Sequence, residues 1–320
     1  MDKEYDVIII GGGPTGMAAG LYASRGRRKT ILFEKAVSGG QIATTSIVEN
    51  YPGFPEGVDG YELGQMMEEQ ARKYGTEVVA AEVTAIELDG HDRIVKTTEG
   101  DVTAPVVIVS SGAEHRKLGV EGEARLTGYG VSYCATCDGA FFKDQVVAVI
   151  GGGDAALDEG LFLTRYASEV IVIHRRDQLR ASKILQERAF ATPNMRFIWD
   201  TVVEEIIGEN KVSSLRLRNI KTDQQCSLDV AGVFIYIGLV PNTQFLAGIA
   251  DIDNGGHVRV NLWMETGVPG IYVAGDARAE AARQVVSAAG DGATAAIAAD
   301  KYLNELHEEL KRTVGASQRT

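Results

Sequence analysis

Tyr5-Asp6-Val7-Ile8-Ile9-Ile10-Gly11-Gly12-Gly13-Pro14-Thr15-Gly16 decides the fold. An apolar run leading straight into a glycine-rich turn reads as a buried strand feeding a helix N-terminus. Met17 to Arg25 then supply the helix and Thr30 to Glu34 the next strand, which makes a βαβ unit. The turn has G-x-G-x-x-G spacing at Gly11, Gly13 and Gly16, with Pro14 inside it and Glu34 about 20 residues on, as a dinucleotide fingerprint requires. The glycines let the backbone approach a pyrophosphate, the helix N-terminus meets its charge, and Glu34 can accept hydrogen bonds from ribose hydroxyls.

The pattern recurs. Val146-Val147-Ala148-Val149-Ile150 leads into Gly151-Gly152-Gly153-Asp154-Ala155-Ala156, then a helix to about Tyr166 and a strand from Glu169 to His174. This second fingerprint has the form G-x-G-x-x-A, and Arg175 and Arg176 stand where the first unit has Glu34. A carboxylate there repels a 2′-phosphate, whereas paired guanidinium groups bind one through charge-assisted hydrogen bonds. The contrast assigns FAD to the first site and NADPH to the second, with Arg180 as a further phosphate ligand.

Near the end of the chain, Gly270 to Asp276 reads as a short buried strand ending in an acidic residue, followed by a small-residue helix from about Gly290 to Leu303. In two-dinucleotide flavoproteins such an element completes the first domain. The expected fold is therefore α/β with two Rossmann-like nucleotide-binding domains. The NADPH domain, 116–246, carries the C-x-x-C and is inserted into a discontinuous FAD domain, 1–115 and 247–320. Crossings are expected near Glu114 to Leu118 and near Thr243 to Gly248, and a frayed tail after Leu310.

A length of 320 residues suits two domains, each with its own core. No apolar run approaches the ~20 residues of a membrane span, and the N-terminus runs straight into a strand, so a cytoplasmic protein without membrane association is expected. The formal charge of -12 argues against nucleic acid as a partner, because phosphate binding wants clustered Lys and Arg.

Three cysteines without a secretory signal do not suggest a disulfide framework. Cys134-Ala135-Thr136-Cys137 reads as half of a zinc site or as a redox dithiol, with an inert pair of buried thiols as the remaining alternative. Neither Cys226 nor the five histidines form a second pair at ligand spacing, so no metal is expected. Redox exchange needs a thiolate and a group that manages protons, and Asp138 stands directly beside Cys137; its alternative is a helix or turn cap. Cys226 lies in a polar stretch and is assigned no function.

Together these residues resemble the low-molecular-weight thioredoxin reductases, within the class II pyridine nucleotide-disulfide oxidoreductases. Gly11 to Gly16, Gly39-Gly40-Gln41, Glu49-Asn50-Tyr51-Pro52-Gly53, Val131 to Gly139, Gly151 to Glu159, His174 to Asp177, Pro241-Asn242-Thr243, Gly275-Asp276 and Arg283-Gln284 fall in family order and spacing. The resemblance implies a homodimer joined through its FAD domain, in which NADPH reduces FAD, the flavin reduces a Cys134-Cys137 disulfide, and the dithiol reduces a thioredoxin. It places Cys137 toward the flavin, makes Cys134 the thiol that attacks the partner, and makes Asp138 the acid/base. It adds Lys35, Gly40, Gln41, Asn50, Gly112, Asp276, Arg283, Gln284 and Val285 to the FAD site. Gly152, Gly153, Asp154, Ala156 and His174 join the arginines at the NADPH site. Ser110-Ser111-Gly112, Ala155 and Val285 depart from the family's usual residues.

Overall fold

The computed structural model describes residues 5–44 and 47–317, without the side chains of 44, 137 and 313–317. The chain forms two compact units: Met1–Glu114 with Val240–Thr320, and His115–Leu239.

In the first unit, Val7–Ile10 is the middle strand of a five-stranded parallel sheet. The order across it is Ile271–Val273, Val106–Val109, Val7–Ile10, Thr30–Glu34, Glu77–Ala80. Val7 stands opposite Thr30 on one side and Val106 on the other, and Val107 opposite Ile271. Both faces of this sheet are covered, which is why its strands are unbroken apolar runs rather than alternating ones. Val7, Ile9, Leu32 and Ile108 pack with Met17, Ala19 and Ala23 of the helix Pro14–Arg25. Ile8, Ile10, Ile31 and Phe33 pack on the other side with Ile86 and Val95, from the antiparallel strands Val83–Asp89 and Asp92–Thr97.

The second unit repeats the plan. Its parallel sheet runs Met195–Ile198, Glu169–Ile173, Val146–Gly151, Gly232–Tyr236, Val131–Ser132, beside a three-stranded antiparallel sheet, Thr201–Ile207, Ser214–Asn219 and Gln225–Asp229.

The second crossing lies ahead of the expected 246/247 boundary, because Leu246 is fully buried in the core of the first unit and the Thr243 hydroxyl donates to Gly256 O at 2.5 Å. The last helix also differs from expectation. It starts at Val285 instead of near Gly290, and it continues to Ser317, so the expected frayed tail after Leu310 is helical through that residue. The Ser287 hydroxyl donates to Gln284 O at 2.9 Å at its start, no proline follows Pro269, and Glu308 pairs with Lys311 one turn apart at 3.1 Å.

This helix meets Pro14–Arg25 through small residues. A Cβ on Gly292 would fall on Thr15 O and within 3.1 Å of Ala19 N, both backbone atoms that cannot step aside, whereas a Cβ on Gly290 would meet open space. Gly292→Ala is therefore expected to lower stability by about 1–3 kcal/mol through overpacking. Gly290→Ala is expected to be neutral or to add up to ~1 kcal/mol of helix propensity. Thermal denaturation of the two variants side by side checks the pair.

Candidate nucleotide-binding and redox sites

The first glycine loop is shaped by its own backbone. Gly11 adopts φ +104°, and a side chain there would strike Ser110 O; a Cβ on Gly16 would overlap Gly11 O. These two glycines let the strand end and the helix start touch. Gly13 is different: it caps the helix in extended conformation, Pro14 follows at the first helical position, and the nearest atom to its missing Cβ is Gly39 O at 4.0 Å. The space facing Gly13 is open to a ligand.

Glu34 reaches back to this loop, its Oε2 accepting from Gly12 N at 2.6 Å and its Oε1 from Ala36 N at 2.8 Å. A carboxylate has about four lone-pair positions, so two backbone bonds fix its orientation and leave acceptors over. Gly39 N donates to Gly12 O at 2.8 Å, and a Cβ on Gly40 would lie 3.3 Å from the Gly13 Cα, which holds the Gly40–Thr44 turn against the fingerprint. Gln41 Nε2 donates to Ala113 O. Asn50 Nδ2 donates to Gln284 Oε1 at 2.9 Å, joining two positions far apart in sequence. Gly112 stands at φ +64° beside open space, with its carbonyl accepting from Asn242 N at 3.0 Å. The Ser111 hydroxyl donates to Asn242 O at 2.6 Å.

Asp276 sits in the turn Gly275–Ala277 after the buried strand Ile271–Val273, and burial raises its carboxyl above the usual carboxylate value. Arg283, at φ +56°, lies 3.2 Å from His257 Nε2 through Nη2. Val285 opens the long helix and packs against Ile42, Val48, Val58 and Leu63. Lys35 is exposed and paired with Glu114 at 3.1 Å.

The second glycine loop differs where the residues differ. A Cβ on Gly152 would collide with the His174 ring, so this glycine makes room for a side chain, while Gly153 caps the helix Asp154–Leu163 and faces open space. Ala156 is fully buried and belongs to the core that joins helix to sheet. Asp154 Oδ1 accepts from Ser182 N at 2.5 Å, and Gly152 O accepts from Arg180 N at 2.7 Å, so the 176–182 turn is folded over the loop. His174 is buried, and its Nε2 has no hydrogen-bond partner among the described residues. Burial, with Arg180, Arg176 and Arg175 nearby, holds its pKa below the usual histidine value. Those three arginines are exposed and have no carboxylate partner among the described residues. An orphaned buried imidazole nitrogen, an open glycine cap and three unpaired guanidinium groups fit a ligand bearing both an aromatic base and phosphates.

Cys134 follows the edge strand Val131–Ser132 and precedes the short helix Ala135–Asp138. It is half-buried and disulfide-bonded, whereas Cys226 is a free exposed thiol on the strand Gln225–Asp229. The Cys137 side chain lies outside the described residues. Asp138 makes no side-chain cap bond to the turn Gly139–Phe142, so it is not spent on capping.

Sequence reasoning passed over what lies beneath the cysteines. Ala135 N, the first peptide after Cys134, donates to the Tyr236 hydroxyl at 2.9 Å and to Glu159 Oε2 at 3.1 Å. Burial, followed by the charge of Asp158, pushes the Glu159 carboxyl up to about 7, although the Ala135 and Thr136 N–H groups and the Tyr236 hydroxyl act against that rise. Tyr236 is itself raised by burial and by facing Glu159. Glu159 closes the quoted run Gly151 to Glu159, but nothing in its spacing shows that the helix Asp154–Leu163 packs beneath Ala135–Asp138. A second carboxylate, buried Glu123, accepts from Leu118 N at 2.8 Å, Gly119 N at 2.6 Å and the Tyr133 hydroxyl at 2.5 Å, and so ties the residue before Cys134 to the start of this unit.

Two dinucleotide loops and a bonded cysteine in one chain define a class, and the chain belongs to the pyridine nucleotide-disulphide oxidoreductase family, whose model matches residues 5–292. Among its relatives are proteins described as thioredoxin reductase. That of Listeria innocua is 47% identical over 97% of each chain, and that of Bacillus subtilis 46% identical over 97% of this chain and 98% of the other. The solved thioredoxin reductase of Lactococcus lactis superposes with a TM-score of 0.92 at 43% identity, covering 94% of this chain and 99% of its own.

The raised Glu159 pKa has a consequence for stability. The folded state binds a proton that the unfolded chain releases near the ordinary Glu value, so this group's stabilising effect is full below about pH 4.5 and is lost as pH rises through about 7. Glu159→Gln, which cannot ionise, is expected to raise Tm by a few degrees at pH 8 and to leave it nearly unchanged at pH 4.5. Calorimetry at the two pH values checks this.

Proposed function

We propose that this chain is an NADPH-dependent, FAD-containing reductase of thioredoxin disulfide. The observation that carries the reading is the bonded Cys134, followed by Cys137 and Asp138, in the same compact unit as a glycine loop with unpaired arginines. The thioredoxin reductases of Listeria innocua and Bacillus subtilis support the choice of thioredoxin as the disulfide substrate.

In this reading the first unit holds FAD. Gly13 and the N-terminus of Pro14–Arg25 face its pyrophosphate, Glu34 its ribose, and Asp276 its ribityl chain; Gly40, Gln41, Asn50, Gly112, Arg283, Gln284 and Val285 line the remainder. Lys35 belongs at the rim, since its ammonium is already paired with Glu114. The second unit holds NADPH, with Gly153 and Asp154 at the pyrophosphate, Arg175, Arg176 and Arg180 on the 2′-phosphate, and the His174 nitrogen toward the adenosine. FAD, when bound, supplies the two-electron exchange between nicotinamide and disulfide that side chains cannot perform.

The protein's own residues then manage thiols and protons. Cys134 and Cys137 form the redox pair; Cys134 attacks the thioredoxin disulfide, and Asp138, free of a capping bond, exchanges the proton. The reading includes a cytoplasmic homodimer joined through the FAD unit. No helix among the described residues is long and apolar enough to cross a membrane, and a formal charge of -12 speaks against a nucleic-acid partner.

Purified protein reconstituted with FAD is expected to reduce a bacterial thioredoxin with NADPH. Cys134→Ser is expected to keep a flavin that NADPH bleaches while losing thioredoxin turnover by more than about a thousandfold, as loss of a covalent nucleophile does. Thioredoxin turnover that survives in this variant would remove the assigned role of Cys134. Each of Arg175→Ala and Arg176→Ala is expected to raise KM for NADPH about 10- to 100-fold through loss of charge-assisted bonds worth ~1.5–3 kcal/mol, with KM for NADH unchanged. Steady-state kinetics with both nucleotides checks this.

A further inference from the structure

The peptide after Cys134 is held by two groups that the proposed chemistry has not yet used. Glu159, from the helix Asp154–Leu163, and Tyr236, at the end of the strand Gly232–Tyr236, converge on Ala135 N at 3.1 and 2.9 Å. The Tyr236 hydroxyl donates to the same Glu159 oxygen at 3.4 Å, and Thr136 N–H also reaches this carboxyl. The groups that act on Glu159 are the Ala135 and Thr136 N–H, the Tyr236 hydroxyl and the charge of Asp158, with no cation among them. Asp158 on its own helix and Tyr236 on the sheet act on it directly, while Asp138 at the end of the cysteine turn acts on Tyr236, whose ring lies 6.2 Å from that of His115.

Resting on the reading of Cys134 as the attacking thiol, we propose that Glu159 is a positioning residue that governs the Cys134 thiolate through the Ala135 and Thr136 peptide N–H groups. In the dithiol state, a thiolate on Cys134 is stabilised by nearby N–H donors, and Ala135 and Thr136 supply the next two peptide N–H groups along the chain. An ionised Glu159 holds the donors and adds a like charge, and both effects keep Cys134 as a thiol. A protonated Glu159 releases the donors and removes the charge. Cys134 and Glu159 therefore titrate as a coupled pair that carries one negative charge near neutral pH. The charge of Asp158 acts in the same sense on Glu159, raising its carboxyl. Two carboxyls then divide the work: Asp138 exchanges protons with the partner thiol, and Glu159 sets how much of Cys134 is nucleophilic.

The test follows Cys134 directly, in FAD-loaded protein carrying Cys226→Ser so that the exposed thiol does not interfere. The disulfide is opened with dithiothreitol, and the rate of iodoacetamide alkylation at Cys134 is read by peptide mass spectrometry from pH 5.5 to 9. With Glu159 intact, the rate is expected to rise in two steps, as a coupled pair requires. Glu159→Gln is expected to collapse the profile to one step displaced about one unit to lower pH, about a tenfold faster reaction on the rising limb. Glu159→Asp, which keeps the charge, is expected to stay closer to the parent profile. A single-step profile in the parent protein overturns the proposal without any variant, and so does a Glu159→Gln profile that superimposes on the parent while flavin absorbance is retained. Because dithiothreitol replaces NADPH here, a failure of the functional reading, seen as no NADPH-dependent thiol release, is distinguishable from a failure of this inference.

Discussion

The structure depends on how closely a strand end can approach a helix start. In each unit the middle strand of a parallel sheet must turn at once into a helix whose first peptide N–H groups point back along the strand axis. That turn fits only if the backbones nearly touch. Gly11 against Ser110 O and Gly16 against Gly11 O make the contact in one unit; Gly151 against Tyr236 O, with Ala156 packed beneath, makes it in the other. A side chain at any of these glycines displaces the helix from the sheet and removes the ring of N–H donors on which phosphate binding rests.

Once that constraint is met, the two units diverge through a few side chains. Glu34 curls onto its own loop and fixes the conformation of Gly12. At the corresponding place the second unit buries His174 under Gly152 and leaves the arginines beyond it facing outward. One loop is thus closed by a carboxylate and the other flanked by cations, although the backbone plan is shared. The electrostatic difference, and not the topology, separates the ligands the two sites can take.

Much of this was legible in the residues. The βαβ units, the repeat, the buried strand before Asp276 and the cysteine pair are written in local order, because hydrophobic periodicity and glycine spacing are local properties. The last helix was misjudged at both ends, since single-residue cues such as Gly290 and a polar tail understate a helix that is stabilised by packing against Pro14–Arg25. The second crossing was set too late because the burial of Leu246 is a tertiary fact.

What the sequence determined by itself is the class of chemistry: two nucleotide fingerprints of opposite charge character and a C-x-x-C with an adjacent acid. Those signals survive in one dimension because the phosphate cradle and the dithiol each need their residues within a few positions of one another. Only the tertiary structure decided what stands under the dithiol. Glu159 and Tyr236 lie 24 and 101 residues from Ala135. Tyr236 meets it because the strand Gly232–Tyr236 pairs in parallel with Val131–Ser132 and ends beside the cysteine turn, and Glu159 because the helix Asp154–Leu163 packs beneath that turn.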